Sequence, residues 1–277
     1  MSEELIKLRL TIAYDGTDYA GWQLQTSGTG VQELIERAWS EMIPGQHRLH
    51  SSSRTDAGVH AEGMVAHIEF PKERFRLSMR NVVLGLNAKL PPDIRIVAAA
   101  RAPKHFHARF DASGKQYRYR VWNHCAMNPL LRRYAWQVPR PLALPTMREA
   151  AGKLVGTHDF RSFAATHSYE IPDTVRTLRR VEIRRSGSLL TFVIEGDGFL
   201  YKMCRGIVGT LVQVGLGRFS PLQMAEMLAA KDRRMAGMSA PACGLVLQKV
   251  FYGRKPARAS RSREVEPTSM HPEEADE

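Results

Sequence analysis

The sequence predicts an α+β fold in two halves that divide near residue 113, each a mostly antiparallel sheet backed by helices. Three observations carry this. Several segments alternate apolar and polar residues with the period of a strand. Between them lie stretches whose apolar residues recur at helical spacing. The second half then repeats the kind of alternation found in the first, although no internal repeat is strong enough to prove a duplication.

Residues 5–14 (LIKLRLTIAY) alternate as a strand, and Asp15-Gly16 ends it as a turn. Gly30 precedes VQELIERAWSEM, where Val31, Leu34, Ile35, Ala38, Trp39 and Met42 share one helical face, and Pro44-Gly45 closes that helix. A strand near 47–52 leads into SSSRTDAGVHA, and residues 63–70 read as the next strand. Residues 76–87 read as helix and 94–100 as strand after Pro91-Pro92. In the second half, residues 116–122 (QYRYRVW) alternate as a strand. Pro145 stands where the first residue of a helix would, and that helix is expected to run to about Val155. Residues 175–185 and 188–197 form a hairpin about Ser186-Gly187-Ser188. From Leu200, the residues Met203, Ile207, Leu211 and Val214 make a helical stripe. Ser220 and Pro221 cap and open another helix to about Ala229, and 244–252 is a closing strand. The expected units are therefore 1–113, 114–254 and a charged tail, 255–277, which lacks apolar periodicity and is expected to be disordered.

The 277 residues suffice for one large domain or two modest ones with real cores, and the 43% hydrophobic fraction is that of a globular protein. The net charge of +12 is unusual. The tail holds four basic residues against six acidic ones, so residues 1–254 carry more than the whole excess. Such an excess suits a polyanionic partner, because each neutralised phosphate releases condensed counterions. An anionic membrane surface would read similarly. The start, MSEELIKLRL, is too acidic and too poor in apolar residues for a signal peptide, and no apolar run is long enough to span a membrane. Cys125, Cys204 and Cys243 lie far apart without zinc spacing and are read as buried, reduced thiols. A cytosolic protein is expected.

The strongest local feature is Arg54-Thr55-Asp56-Ala57-Gly58-Val59-His60-Ala61 between two strands. An arginine close to the aspartate can keep the carboxylate ionised and oriented, and Gly58 allows a tight turn. A structural Arg–Asp pair at a strand end is the competing account. Tyr117 and Tyr119 alternate with Arg118 and Arg120, so the rings would share one strand face and could stack on bases, or could belong to the core. Arg205 lies beside an apolar helical stripe, where an arginine either snorkels to water or meets a buried carboxylate. Basic clusters at 118/120, 132–133, 176/179/180, 184–185 and 231/233/234 could together track phosphates. His105 and His107 have no further ligand at metal spacing and read as structural. No P-loop, GxGxxG after a strand or HExxH occurs, which speaks against nucleotide-hydrolysing, dinucleotide and zinc-hydrolase chemistry, and against a methyltransferase.

Over most of residues 8–252 the chain resembles the tRNA pseudouridine synthase A family. The matching stretches are YDGTDYAGWQLQ (14–25), VQELIERA (31–38), RTDAGVHA (54–61), LNAKLPPDIRI (86–96), FHARFDASGKQYRYRV (106–121), GTHDFRSF (156–163), FLYKMCRGIVGTLVQVG (199–215) and GLVLQKVFY (244–252). The resemblance implies two fused ferredoxin-like halves around a central cleft. It implies a homodimer that needs no cofactor and converts uridine to pseudouridine at positions 38, 39 and 40 of the tRNA anticodon stem-loop. Residue by residue, it implies that Asp56 is the catalytic aspartate, with Arg54 its motif neighbour. It makes Tyr117 the tyrosine that stacks on the target base and Arg205 the arginine that pairs with Asp56. Two positions depart from the family's pattern: Ser51-Ser52-Ser53, where relatives often carry glycine, and Gly206, where asparagine is common.

Overall fold

A computed structural model describes residues 4–23, 28–165 and 173–253. The tail expected to be disordered, and the last two residues of the stretch quoted at 14–25, lie outside the described residues. The described part forms a ten-stranded sheet with α-helices packed against it. The first half runs β1 (Leu5–Tyr14), α1 (Val31–Met42), β2 (Leu49–Ser51), β3 (His60–Pro71), α2 (Met79–Lys89) and β4 (Ile94–Ala102). The second runs β5 (Ala112–Trp122), β6 (Trp136–Gln137), α3 (Leu144–Gly152), β7 (Gly156–Asp159), β8 (Val175–Ser186), β9 (Leu189–Gly196), α4 (Met203–Gly215), α5 (Pro221–Ala230) and β10 (Leu245–Tyr252).

The strand order is β4-β1-β3-β10-β5-β9-β8-β7, with β2 also on β3 and β6 also on β5. Each half repeats one arrangement. The order β4-β1-β3-β2 of the first half is matched by β10-β5-β9-β8 in the second, with helices in equivalent connections. Both are the ferredoxin-like order, and all pairings among the described residues are antiparallel except β3 with β10 and β5 with β6. The division expected near residue 113 falls at the first residues of β5, and the sheet is continuous across it.

One strand makes the seam. β3 is long, and β2 covers the edge of its C-terminal part, Ala66–Ile68. β10 joins the same strand at its N-terminal end, where Val246 and Leu247 pair in parallel with His60 and Ala61. On its other side β10 runs antiparallel to β5. The segment between β2 and β3 therefore emerges where one half's edge strand stops and the other half's closing strand arrives.

Local chemistry accounts for most boundaries. The apolar residues Leu8, Leu10, Ile12 and Tyr14 of β1 are buried in strict alternation. In α1, Val31, Ile35, Ala38 and Trp39 are buried as the stripe requires. α2 begins at Met79, not residue 76, because Ser78 caps it by accepting from the Asn81 N–H. α4 begins at Met203, not at Leu200, because Lys202 turns the chain through a left-handed conformation, φ 57°. α3 stops at Gly152, before Val155, and Gly156 opens β7, a short strand that pattern reading misses along with β6. Ser220 and Gln223 close a capping box at α5. The expectation of buried thiols fails at Cys125, which is exposed in the connection after β5, while Cys204 is buried and Cys243 half-buried.

Candidate active site

The segment Ser52–Val59 leaves the sheet after the Ser52 N–H bonds the Val65 carbonyl. It closes on itself where the Val59 N–H donates to the Asp56 carbonyl. Gly58 sits at φ 75°, a conformation that an L side chain resists, so the small residue of this turn has a backbone reason. The turn rests on the segment after β1. The Trp22 N–H donates to the Thr55 carbonyl, and Tyr14 Oη and Thr55 Oγ1 share a 2.7 Å hydrogen bond. Gly16 lies directly under Val59, where a β-carbon would come within 2.0 Å of the Val59 carbonyl oxygen.

His60 clasps the turn to the second half. Its Nδ1 accepts from the Gly16 N–H at 3.0 Å, and its Nε2 lies 3.1 Å from the Arg133 carbonyl and 3.0 Å from the Cys243 carbonyl. Two carbonyls at Nε2 call for a proton there, and Nδ1 also lies 3.0 Å from Asp15 Oδ1. Beside it, Tyr134 donates to Asp15 Oδ2 at 2.7 Å. Burial raises the Asp15 carboxyl, but hydrogen bonds from Thr17 and Tyr134 and the nearby His60 outweigh it and hold Asp15 below the usual carboxylate value.

Asp56 meets its cation from the far side of the seam. Arg205 Nη1 donates to Asp56 Oδ2 at 2.9 Å, and the two side chains are 16% and 17% exposed respectively. Arg205 is itself oriented by Nε donating to the Ala240 carbonyl at 2.7 Å. It occupies the first turn of α4, where the helix dipole disfavours a cation, and the Asp56 charge offsets that cost. The sequence neighbour Arg54 does not make this pair; its side chain is exposed at the cavity wall. Gly206 lets α4 approach the turn at Arg161–Phe163, since a β-carbon there would meet the Phe163 carbonyl oxygen at 2.2 Å.

A cavity of about 640 Å³ opens over the pair. Asp56, Arg54 and Tyr117 line it, together with Phe199, Cys204 and Leu245. Tyr117 is 8% exposed and meets the Phe199 ring edge-on at 5.0 Å. Burial, then the nearby Cys204 and Asp56, push its hydroxyl well above the usual phenol value, so the ring is neutral. Tyr119, two residues on, is fully buried and donates to the Pro241 carbonyl at 2.8 Å, so of the two candidate tyrosines this one belongs to the core. Thus Asp56, Arg54, Tyr117 and Arg205 all come to one cleft between the halves.

The cations around the cavity are Arg48, Arg54, Arg109, Lys115, Lys202 and, at the pair, Arg205. They are mostly not the clusters that stand out in the sequence. Several of those meet acids instead: Arg120 lies 3.6 Å from Glu62, Arg180 and Arg184 bracket Glu182, and Arg234 pairs with Asp232. Leu245, Phe199 and Lys115 escape sequence reasoning. Only the strand period of two linking Lys115 to Tyr117 could have pointed to one of them. His107 meets the His50 ring at a tilt and the His67 ring edge-on, and among the described residues no group of three or more His, Cys, Asp or Glu is arranged to hold a metal ion. No helix among them is long and apolar enough to cross a membrane.

A family model described as tRNA pseudouridine synthase matches residues 10–111 and 150–253, one stretch in each half. A tRNA pseudouridine synthase A from Myxococcus xanthus is 42% identical over 247 residues, covering 89% of this chain and 92% of the relative. One from Pelobacter propionicus is 44% identical over 88% of this chain and 99% of its own. One from Geobacillus kaustophilus is 43% identical over 89% and 94%.

Proposed function

The chain belongs to the tRNA pseudouridine synthase family, a family of isomerases, and from this premise we propose that it converts uridine to pseudouridine at positions 38, 39 and 40 of the tRNA anticodon stem-loop, with Asp56 as the catalytic residue. The observation that carries the reading is the Asp56–Arg205 pair, 2.9 Å apart at a cavity whose wall includes the Tyr117 ring.

The reaction breaks the bond from C1′ to N1 of uracil and forms one from C1′ to C5. The C5 hydrogen leaves and N1 gains one, so substrate and product are isomers and no electrons are exchanged. The base must leave its stack, detach, turn and reattach without escaping. Unstacking costs a few kcal/mol, which stacking on Tyr117 and backbone contacts to the surrounding cations offset. Tyr117 acts as a neutral ring, since burial opposes its phenolate. Arg205 aims the Asp56 carboxylate through its hydrogen bond, and Arg54 faces the RNA from the cavity wall. Asp56 starts the exchange by attack at C1′, by attack on the base, or by removing a sugar proton to give a glycal. A primary deuterium effect at C2′ would single out the last route.

The same reading treats residues 1–113 and 114–254 as two units that each bring part of the site. It also takes the working form to be a cytoplasmic homodimer. The decisive experiment incubates the wild type and Asp56→Asn with unmodified tRNA and maps pseudouridine by position. Product at 38–40 from the wild type, with RNA binding but no turnover from Asp56→Asn, supports the assignment. Turnover by Asp56→Asn would remove Asp56 from the chemistry, and product at other positions would change the substrate.

A further inference from the structure

Lys115 stands two residues before Tyr117 on β5, so both side chains leave the same face of the strand, and both line the cavity with Asp56. Its neighbour across the sheet on β9 is Gly196, which has no side chain to cover it. Among the described residues no carboxylate lies within ion-pair distance of its ammonium group, and no hydrogen-bond partner meets it. The cations that act on it are Arg109 and Arg176, the latter itself 3.5 Å from Asp173. Burial first, and then these two arginines, push Lys115 down to about 8, with the Cys204 thiol opposing them weakly.

A half-buried ammonium with no acid beside it works against folding unless something anionic arrives. By contrast, Lys7 lies 2.6 Å from Glu69 and Arg205 lies 2.9 Å from Asp56. Lys115 is left for a ligand. The matching chemistry is a permanent negative charge with several acceptor oxygens, and RNA carries one on either side of any nucleotide it delivers to the cavity.

We propose that Lys115, with Arg109 at the rim, seats a phosphodiester of the RNA backbone next to the uridine taken into the cavity. The proposal rests on the functional reading above, in that the cavity receives a nucleotide drawn out of its stack. A phosphate is favoured over the uracil oxygens because Arg109 lines the same cavity and adds a second cation. Charge on detached uracil exists only briefly, whereas the phosphate is charged throughout binding.

The test measures RNA affinity against salt, and single-turnover rate at saturating RNA, for the wild type, Lys115→Gln and Lys115→Arg. Each is assayed on an anticodon stem-loop RNA and on versions with one neutral methylphosphonate on either side of the target uridine. The expected result is about a 10-fold loss of affinity in Lys115→Gln, the size of one charge-assisted hydrogen bond. Its salt slope should fall by about 0.7–0.9, one phosphate's worth, and Lys115→Arg should restore both. One methylphosphonate should weaken the wild type similarly and weaken Lys115→Gln no further. Lys115→Met should raise the thermal midpoint of the free protein at pH 7, because an uncompensated charge has gone.

A lower rate at saturating RNA with affinity and salt slope unchanged would overturn the proposal and place Lys115 on the base. Losses from Lys115→Gln and from both methylphosphonates that simply add would also overturn it. So would a fall in thermal midpoint in Lys115→Met and Lys115→Gln alike, which would mark a structural lysine. Failure of the wild type to make pseudouridine would sink the functional reading instead, and the binding interference would still report on Lys115.

Discussion

At the scale of single residues, the site depends on groups that are unremarkable alone. Asp56 needs a cation, and the one within reach in sequence, Arg54, faces the cavity while Arg205 makes the bond. Which arginine pairs was legible from resemblance but not from spacing, because the contact spans 149 positions of chain. Gly206 shows the reverse case. The family resemblance leads one to expect asparagine there, and the Phe163 carbonyl stands where a β-carbon would be. Gly206→Asn should therefore push back the 161–163 turn and destabilise the protein by about 1–3 kcal/mol, the usual range for overpacking, in a urea titration. An unchanged midpoint would mean that the turn yields freely.

At the scale of elements, the strands behave as their alternation predicts, while short β6 and β7 carry too few residues to show a period. Where elements meet, buried polar groups set the sensitivity to pH. His67 of β3 lies against His50 of β2 and accepts from the Ala108 N–H at 3.1 Å. Burial, then the neighbouring His107, Lys7 and His50, push it down to about 3 from an ordinary 6.5. A depressed histidine is protonated more readily in the unfolded chain, so its contribution is whole above about 6.5 and is lost as pH falls towards 3. Wild-type stability should decline below pH 6.5 with a slope of at most about 1.4 kcal/mol per pH unit from this group, and His67→Asn should flatten that decline. Equal slopes for both proteins would show that His67 titrates normally. At the seam, Leu247 of β10 is fully buried between β3 and β5. Leu247→Ala should cost about 2–5 kcal/mol by denaturant titration. Activity should fall with it, since the seam holds Leu245 and the Asp56 turn in place.

At the scale of the whole molecule, the +12 charge becomes useful only once the chain is folded. Several conspicuous basic clusters meet acids, whereas Arg48, Arg109, Lys115 and Lys202, scattered in sequence, converge on one cavity. RNA affinity should fall linearly with log salt, and Arg54→Gln should reduce the slope by about 0.7–0.9 while weakening all RNA sequences alike. A variant with the wild-type slope would place Arg54 away from the backbone.

The sequence by itself determined the class of fold, the order of the long elements, the Ser220 cap of α5 and the position of the Asp56 turn. These are local properties: side-chain periodicity, capping hydroxyls and the need for glycine at φ 75° act over a few residues of chain. The tertiary structure alone decided the atoms that complete the cleft. It sent Tyr119 to the core and left Arg54 exposed at the cavity wall. It also made β10 the strand that joins the halves and left Lys115 half-buried at the cavity with no counter-charge among the described residues. Such contacts come from long-range packing, where strands far apart in sequence share a ladder and burial sets which charges find partners.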